Sequence, residues 1–364
     1  MSYSFGKNFK VTLFGQSHSR EIGLVIDGIE AGYKINRDLI SKNLDRRRPG
    51  RNEFSSSRKE EDSYELVSGE VEDITCGAPL CAIIKNKDQR SKDYDNLRDT
   101  PRPSHADYPA YVKFASYNDV RGGGQFSGRM TAPLVIGGSI AEDLLTKRGI
   151  KIYSRIKSIG LAEDCEINLE DIKEENFYDF KDQVFPVINP SSREKMEAEI
   201  LKAKEEGDSI GGIVETFVLN MPVGIGEPFF DSLESVISHA VFSVPGIKGI
   251  EFGSGFEAAK MLGSTHNDPY YYENKEIKTR TNNHGGIIGG LSIGMPIVFR
   301  TAVKPTSSIS KSQDTVSLKD KNNTKLEIVG RHDPSIVPRA LVAIEMITAI
   351  ALLDLVMEGE RWEI

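Results

Sequence analysis

Two β-rich apolar runs, residues 9 to 14 and 21 to 27, flank the polar segment GQSHSR, which predicts two strands joined by a loop that carries Ser17 and His18. The mixed rhythm of RDLISKNLDRRR predicts a helix capped by Asn36 and stopped by Pro49-Gly50. GAPLCAIIKN (77 to 86) reads as a further strand, and an apolar helix runs from about 129 to 147. The same order then recurs in GIVETFVLNM (212 to 221), DSLESVISHAVFSV (231 to 244) and GMPIVFRTAV (294 to 303), again followed by a polar loop and a long helix. Pro49-Gly50 matches Pro245-Gly246, and Gly77-Ala78-Pro79 matches Gly294-Met295-Pro296. The chain therefore reads as one domain, 1–364, of two related halves, about 1–160 and 210–364, whose equivalent loops would converge on one cleft. Between them, residues 161–209 are strongly charged and are expected to form solvated helices at the periphery. The longest apolar region (340 to 357) is interrupted by Glu345 and Asp354, so it reads as a buried core helix and not as a membrane span.

Composition narrows the classes. With 38% apolar and 27% charged residues the chain can bury a large core, and a net charge of −8 disfavours nucleic acid and acidic membranes as partners. Cys76, Cys81 and Cys165 have no paired spacing, and the N-terminus shows no signal peptide, so a reducing cytoplasm is expected. No two histidines share a helical face with carboxylates, so no metal site is expected.

The cations that remain are gathered in short segments. RGGGQFSGR (121 to 129) places Arg121 and Arg129 around three glycines and Ser127 just before a helix, the chemistry of an anion cradle. GQSH, DRRRPGR, RPSHAD and GRHDP set His18, His105 and His332 beside Ser, Arg or Asp in Gly/Pro-bounded loops, whereas His239 belongs to an amphipathic helix and His266 to a polar loop. GSGFEA (253 to 258) imitates a dinucleotide fingerprint, but the helix after it is too short and no second strand follows. Read from residues alone, the chain is an enzyme that gathers Arg, Lys, Ser and backbone N–H groups around a small polyanion, with histidines available for proton transfer.

Seven ordered motifs, GQSH, DRRRPG, RPSHADY, RGGGxxSGR, NNHGGIxGG, KPTSS and GRHDP, span about residues 6 to 346 and resemble the chorismate synthase family. The resemblance implies an α+β sandwich of long helices between two antiparallel β-sheets, internally duplicated and assembled as a homotetramer. It implies a lyase of the shikimate pathway that eliminates phosphate, anti and 1,4, from 5-enolpyruvylshikimate 3-phosphate to give chorismate, and that requires reduced FMN. By similarity, His18 would protonate the departing phosphate, His105 would sit near the flavin, and Asp333 would help take a proton at flavin N5. Flavin contacts would be Gln125, Phe126, Ser127, Pro245, Gly246, Gly289, Lys304, Pro305, Thr306, Ser307, Ser308 and Arg331. Arg48, Arg121 and Arg129 would bind substrate, and Arg47 aligns with a position linked to NADPH. The chain departs from the family pattern at Gln16, Ser19, Gln125-Phe126, Pro245-Gly246 and Ser335, and Glu53 replaces an arginine of the nicotinamide site. An externally reduced flavin is therefore expected, with NADPH as reductant the alternative.

Overall fold

The computed structural model describes residues 3–50, 62–86, 97–168, 172–177, 179–328 and 333–360. The N-terminal apolar runs form a five-stranded antiparallel sheet with the order β1 (Ser4–Phe5), β2 (Lys10–Gly15), β3 (Glu21–Asp27), β7 (Leu80–Lys85) and β4 (Tyr64–Ser68). Leu24 lies opposite Leu13 on one side and Ala82 on the other, and the buried row Ile22, Leu24 and Ile26 faces the core. The second five-stranded antiparallel sheet has the order β11 (Ile247–Phe252), β16 (Ile297–Val303), β10 (Gly212–Leu219), β8 (Lys151–Ile159) and β9 (Ala162–Glu163). Small ribbons pair β5 (Glu70–Val71) with β6 (Ile74–Thr75), β12 (Tyr270–Glu273) with β13 (Glu276–Thr279), β14 (Ile287–Ile288) with β15 (Leu291–Ser292), and β17 (Gln313–Ser317) with β18 (Asn322–Leu326).

Two helices that are apolar nearly all round, α3 (Thr131–Lys147) and α7 (Val337–Gly359), are buried as that composition requires. α3 packs against β3 and β7, α7 against β8 and β10, and the two helices pack on each other. The helix α1 (Arg37–Arg47) lies across both, α5 (Leu233–Val241) packs on α7, and α2 (Asp107–Lys113), α4 (Pro190–Glu205) and α6 (Gly263–His266) complete the set among the described residues. Asn36 caps α1 by accepting from the Leu39 N–H at 3.1 Å, and Arg48, extended before Pro49, ends it.

By length and composition α7 could cross a membrane, yet 94% of its most apolar window is buried inside the protein. The two acids within its apolar run are answered: Glu345 accepts from Arg46 Nη1 at 2.7 Å, and Asp354 Oδ1 accepts the backbone N–H groups of Lys7, Asn8 and Phe9 at 2.8, 2.6 and 2.9 Å.

Gly137 and Gly138 wedge α3 between its neighbours. A Cβ on Gly137 would meet Leu24 Cδ1 at 2.8 Å, and one on Gly138 would meet Met346 Cβ at 2.3 Å and Met346 Cα at 2.6 Å. Because the second clash involves the backbone of the facing helix, Gly138→Ala is expected to destabilise by about 1–3 kcal/mol. Gly263→Ala, where nothing lies within 4 Å, should stay within about 0.5 kcal/mol. Urea unfolding midpoints of the two variants check the pair.

The charged region 161–209 differs from the expectation of solvated helices. Among the described residues its only α-helix is α4, and the stretch before it is anchored by buried apolar side chains. Phe177 packs against Tyr153 and Phe217 of the second sheet at ring-centroid distances of 5.3 and 4.8 Å. Burying a few large aromatic rings outweighs the polar average of the segment. GSGFEA forms a short 3₁₀ turn after β11, not the start of a nucleotide-binding helix.

Candidate functional site

The three glycines of RGGG form the floor between two histidines. Gly122, Gly123 and Gly124 have φ of 58°, 82° and 55°, in the left-handed region that favours glycine. A Cβ at Gly122 would lie 2.3 Å from His18 Cε1, one at Gly123 3.3 Å from His105 Nε2, and one at Gly124 2.2 Å from the Asp119 carbonyl oxygen. The Ser17 N–H donates to the Gly124 carbonyl at 3.1 Å, which docks the GQSH loop on this floor.

Beside it opens a cavity of about 540 Å³, within the range of small-molecule sites. RPSH contributes Arg102, Ser104 and His105; the cradle contributes Gln125, Phe126, Ser127 and Arg129; KPTSS contributes Lys304, Thr306, Ser307 and Ser308. Phe242 to Ile247, including Pro245 and Gly246, supply a mostly apolar wall, and Arg47, Asp333 and Arg339 close the cleft. The Lys304 N–H donates to the Gly246 carbonyl at 2.9 Å, which docks the KPTSS loop beside the apolar wall, and Arg102 Nη1 donates to Ser308 Oγ at 3.2 Å, which ties the RPSH loop to the KPTSS loop across the site.

The arginines are held by carboxylates. Arg47 Nη2 donates to Asp62 Oδ2 at 2.5 Å, and Arg129 pairs with the other oxygen of the same carboxylate. Burial pushes Asp62 up, but the two guanidinium groups outweigh it and hold the carboxyl below its ordinary value. Arg102 grips Asp107 with Nε at 2.7 Å and Nη2 at 2.8 Å, and His105 Nδ1 stands 2.6 Å from Asp107 Oδ1. Arg339 donates to Asp333 at 2.5 Å and to the Arg47 carbonyl at 3.1 Å. Lys304 has no carboxylate among the described residues; its Nζ reaches the Pro305 carbonyl at 3.2 Å, and burial together with the Lys248 charge lowers its pKa. Among the described residues five cations line the cleft, and Asp62, Asp107 and Asp333 pair with four of them, a positive balance that suits an anionic ligand.

Of the residues expected in the site, His105, Gln125, Phe126, Ser127, Arg129, Pro245, Gly246, Lys304, Thr306, Ser307, Ser308, Asp333 and Arg47 line the cavity. His18 does not; it is buried behind Gly122, which does. Pro305 stands between two lining residues without lining the cavity itself. Arg48 lies outside it, exposed and paired with Asp45 at 2.6 Å, because it sits one position past the end of α1 and on another face. Arg121 likewise folds back on Asp119 at 2.8 Å, and Gly289 lies in the β14–β15 turn away from the lining. Arg331, His332 and Glu53 fall outside the described residues. Arg102, Asp107, Asp62 and Arg339 received no role from the sequence; the first two flank His105 within RPSHAD, whereas Asp62 and Arg339 carry no local signal.

The chorismate synthase family model matches residues 9–357. The chorismate synthase of Methanocaldococcus jannaschii is 47% identical over 365 residues, covering 98% of this chain and 96% of its own. That of Dehalococcoides mccartyi is 45% identical over 359 residues, covering 99% and 98%. A solved structure described as a crystal structure of chorismate synthase is similar with a TM-score of 0.74 at 26% identity, covering 98% of this chain and 93% of that one. With the family model and these relatives matched over nearly the whole length, the chain belongs to the chorismate synthase family and is an enzyme of that type, a lyase.

Proposed function

We propose that the protein eliminates phosphate, anti and 1,4, from 5-enolpyruvylshikimate 3-phosphate to form chorismate, with reduced FMN bound in the same cleft. The observation that carries this reading is the cluster of five cations that line the cavity among the described residues, to which segments distant in sequence each contribute a polar group. A substrate with one phosphate and two carboxylates, beside a flavin phosphate, matches that cluster. The fit of the flavin rests on Lys304, a partly buried cation with no carboxylate partner among the described residues, next to the hydroxyls of Thr306, Ser307 and Ser308 and beside the apolar wall at Val244 and Ile247. Gln125, Phe126, Ser127, Pro245, Gly246 and Lys304 to Ser308 would hold it, with Gly289, outside the cavity lining, and Arg331, outside the described residues, as further candidates. When bound, reduced FMN supplies electron density to the substrate as phosphate leaves.

The chain's own groups orient, neutralise and move protons. Arg129 and Arg47 are fixed by Asp62 before any ligand arrives, so their donors are preorganised for oxyanions. His105 presents a ring nitrogen at the glycine floor, Asp333 faces the cleft as a carboxylate held by Arg339, and His18 stands behind Gly122 as the proton donor to phosphate.

The same reading takes the two sheets and their intervening helices as duplicated halves of one sandwich, supported by the recurring strand and helix order. It places the enzyme in the cytoplasm as a homotetramer, supported by the exposed aromatic surface at Phe229, Phe230 and Phe256. It takes the reductant as external, supported by Glu53 in place of an arginine.

Anaerobic assay with the substrate tests the proposal. Chorismate is expected with reduced FMN and not with oxidised FMN plus NADPH alone. Equal rates without flavin would favour a flavin-free phosphate lyase instead.

A further inference from the structure

We propose that Asp107, gripped by Arg102, is a positioning residue that fixes the proton of the neutral His105 ring on Nδ1 and so leaves Nε2 unprotonated at the glycine floor. The catalytic meaning of that nitrogen rests on the elimination proposed above; the geometry does not.

Every lone-pair direction of the Asp107 carboxylate has a defined use. Oδ2 accepts the Arg102 backbone N–H at 3.0 Å and Nε at 2.7 Å, while Oδ1 accepts Arg102 Nη2 at 2.8 Å and faces His105 Nδ1 at 2.6 Å. An unprotonated Nδ1 so close to a carboxylate oxygen would set two lone pairs against each other, so Nδ1 carries the hydrogen. Arg102 Nη2, 3.0 Å from the same Nδ1, then stands beside it as a second donor to the shared oxygen. Burial raises the Asp107 carboxyl, but hydrogen bonds from Arg102 and His105 outweigh it and hold the group far below the ordinary carboxylate value. It stays ionised and cannot return a proton to the ring. His105 Nε2 is the ring atom nearest the position of a Cβ on Gly123, which lines up the free nitrogen with the floor that carries His18 at the next residue. Through Nη1 the same Arg102 holds Ser308, so the ring is indexed to the opposite wall of the cleft.

Asp107→Asn separates this role from simple support. The amide oxygen will turn to the Arg102 donors, and the NH₂ group will donate to Nδ1, driving the ring proton to Nε2. With ¹⁵N-histidine-labelled, ligand-free protein, long-range ¹H–¹⁵N correlations are expected to show His105 as the Nδ1–H tautomer in the parent chain and the Nε2–H tautomer in Asp107→Asn. Under anaerobic turnover kcat should fall about 10²-fold with KM little changed. The same tautomer in both proteins, or an Nε2–H ring in the parent, overturns the proposal. If Asp107→Asn does not fold, Arg102→Lys keeps the charge but loses the fork and leaves the Asp107 carboxylate beside the ring, so it is expected to retain the Nδ1–H tautomer; an Nε2–H ring there overturns the proposal equally. Failure of the parent protein to make chorismate would remove the proposed function while the tautomer measurement still decides the role of Asp107.

Discussion

His105→Ala is expected to lower turnover by about 10²- to 10⁴-fold, the range that a well-placed acid or base supplies, while leaving the unfolding midpoint close to that of the parent. The separation of the two effects follows from where the ring sits. His105 is on a loop at the cavity edge with its side chain 18% exposed, and its removal leaves Arg102 and Asp107 still paired with each other. Nothing in the helical core loses a contact. His18→Ala should behave differently, because His18 is buried and fills the space that a Gly122 side chain would need. That variant is expected to lose both activity and stability, since a void beneath the floor is added to the loss of a proton donor. Steady-state rates with reduced FMN, together with urea unfolding of both variants, check the contrast. A His105→Ala enzyme that turns over like the parent takes His105 out of the mechanism.

The elements that could be read from the sequence are those whose local signals agree with their packing. β2 and β3 are short β-rich apolar runs bounded by polar segments, α1 carries its cap at Asn36, and α7 shows one long apolar run. β8 gave no such signal: KIYSRIKSI alternates charge with apolar residues like an edge strand, yet Arg155 is fully buried between Glu215 and Asp164. The partners that make this burial tolerable arrive from β10 and from the 161–209 region, so the local pattern cannot announce them. The site divides in the same way. His105, Ser127, Lys304 and Asp333 stand in motifs rich in Gly, Pro and Ser, and they were legible because such loops rarely concentrate chemistry without a ligand. Arg48 and Arg47 look alike in DRRRPG, but one helical step of 100° puts Arg47 into the cleft and Arg48 into solvent. Arg121 pairs with its near neighbour Asp119, which lies just before the RGGG motif and outside it.

Asp62→Asn should destabilise the protein by about 3–5 kcal/mol at pH 7, the cost of removing one partner from a buried ion pair. One carboxylate here serves two guanidinium groups, Arg47 and Arg129, both buried or nearly so. An amide of the same shape keeps the packing but removes the negative charge that the two guanidinium groups share in a low-dielectric site. The sign of the pH dependence follows from the depressed folded-state pKa of Asp62. Its contribution is fully present above the unfolded value of about 3.9 and is lost as pH falls through the lower folded value. The gap between parent and variant should therefore be wide at pH 7 and close in acid, as the parent protonates its own Asp62. Urea midpoints measured from neutral to acid pH test this, and a gap that ignores pH would mean that shape, not charge, is what Asp62 provides. Because the freed guanidinium groups line the cleft, inorganic phosphate should raise the melting temperature of Asp62→Asn more than that of the parent, by preferential binding to the folded state. A carboxylate installed behind the arginines thus acts as an internal stand-in for the anion, holding the cationic wall together while the cleft is free of ligand.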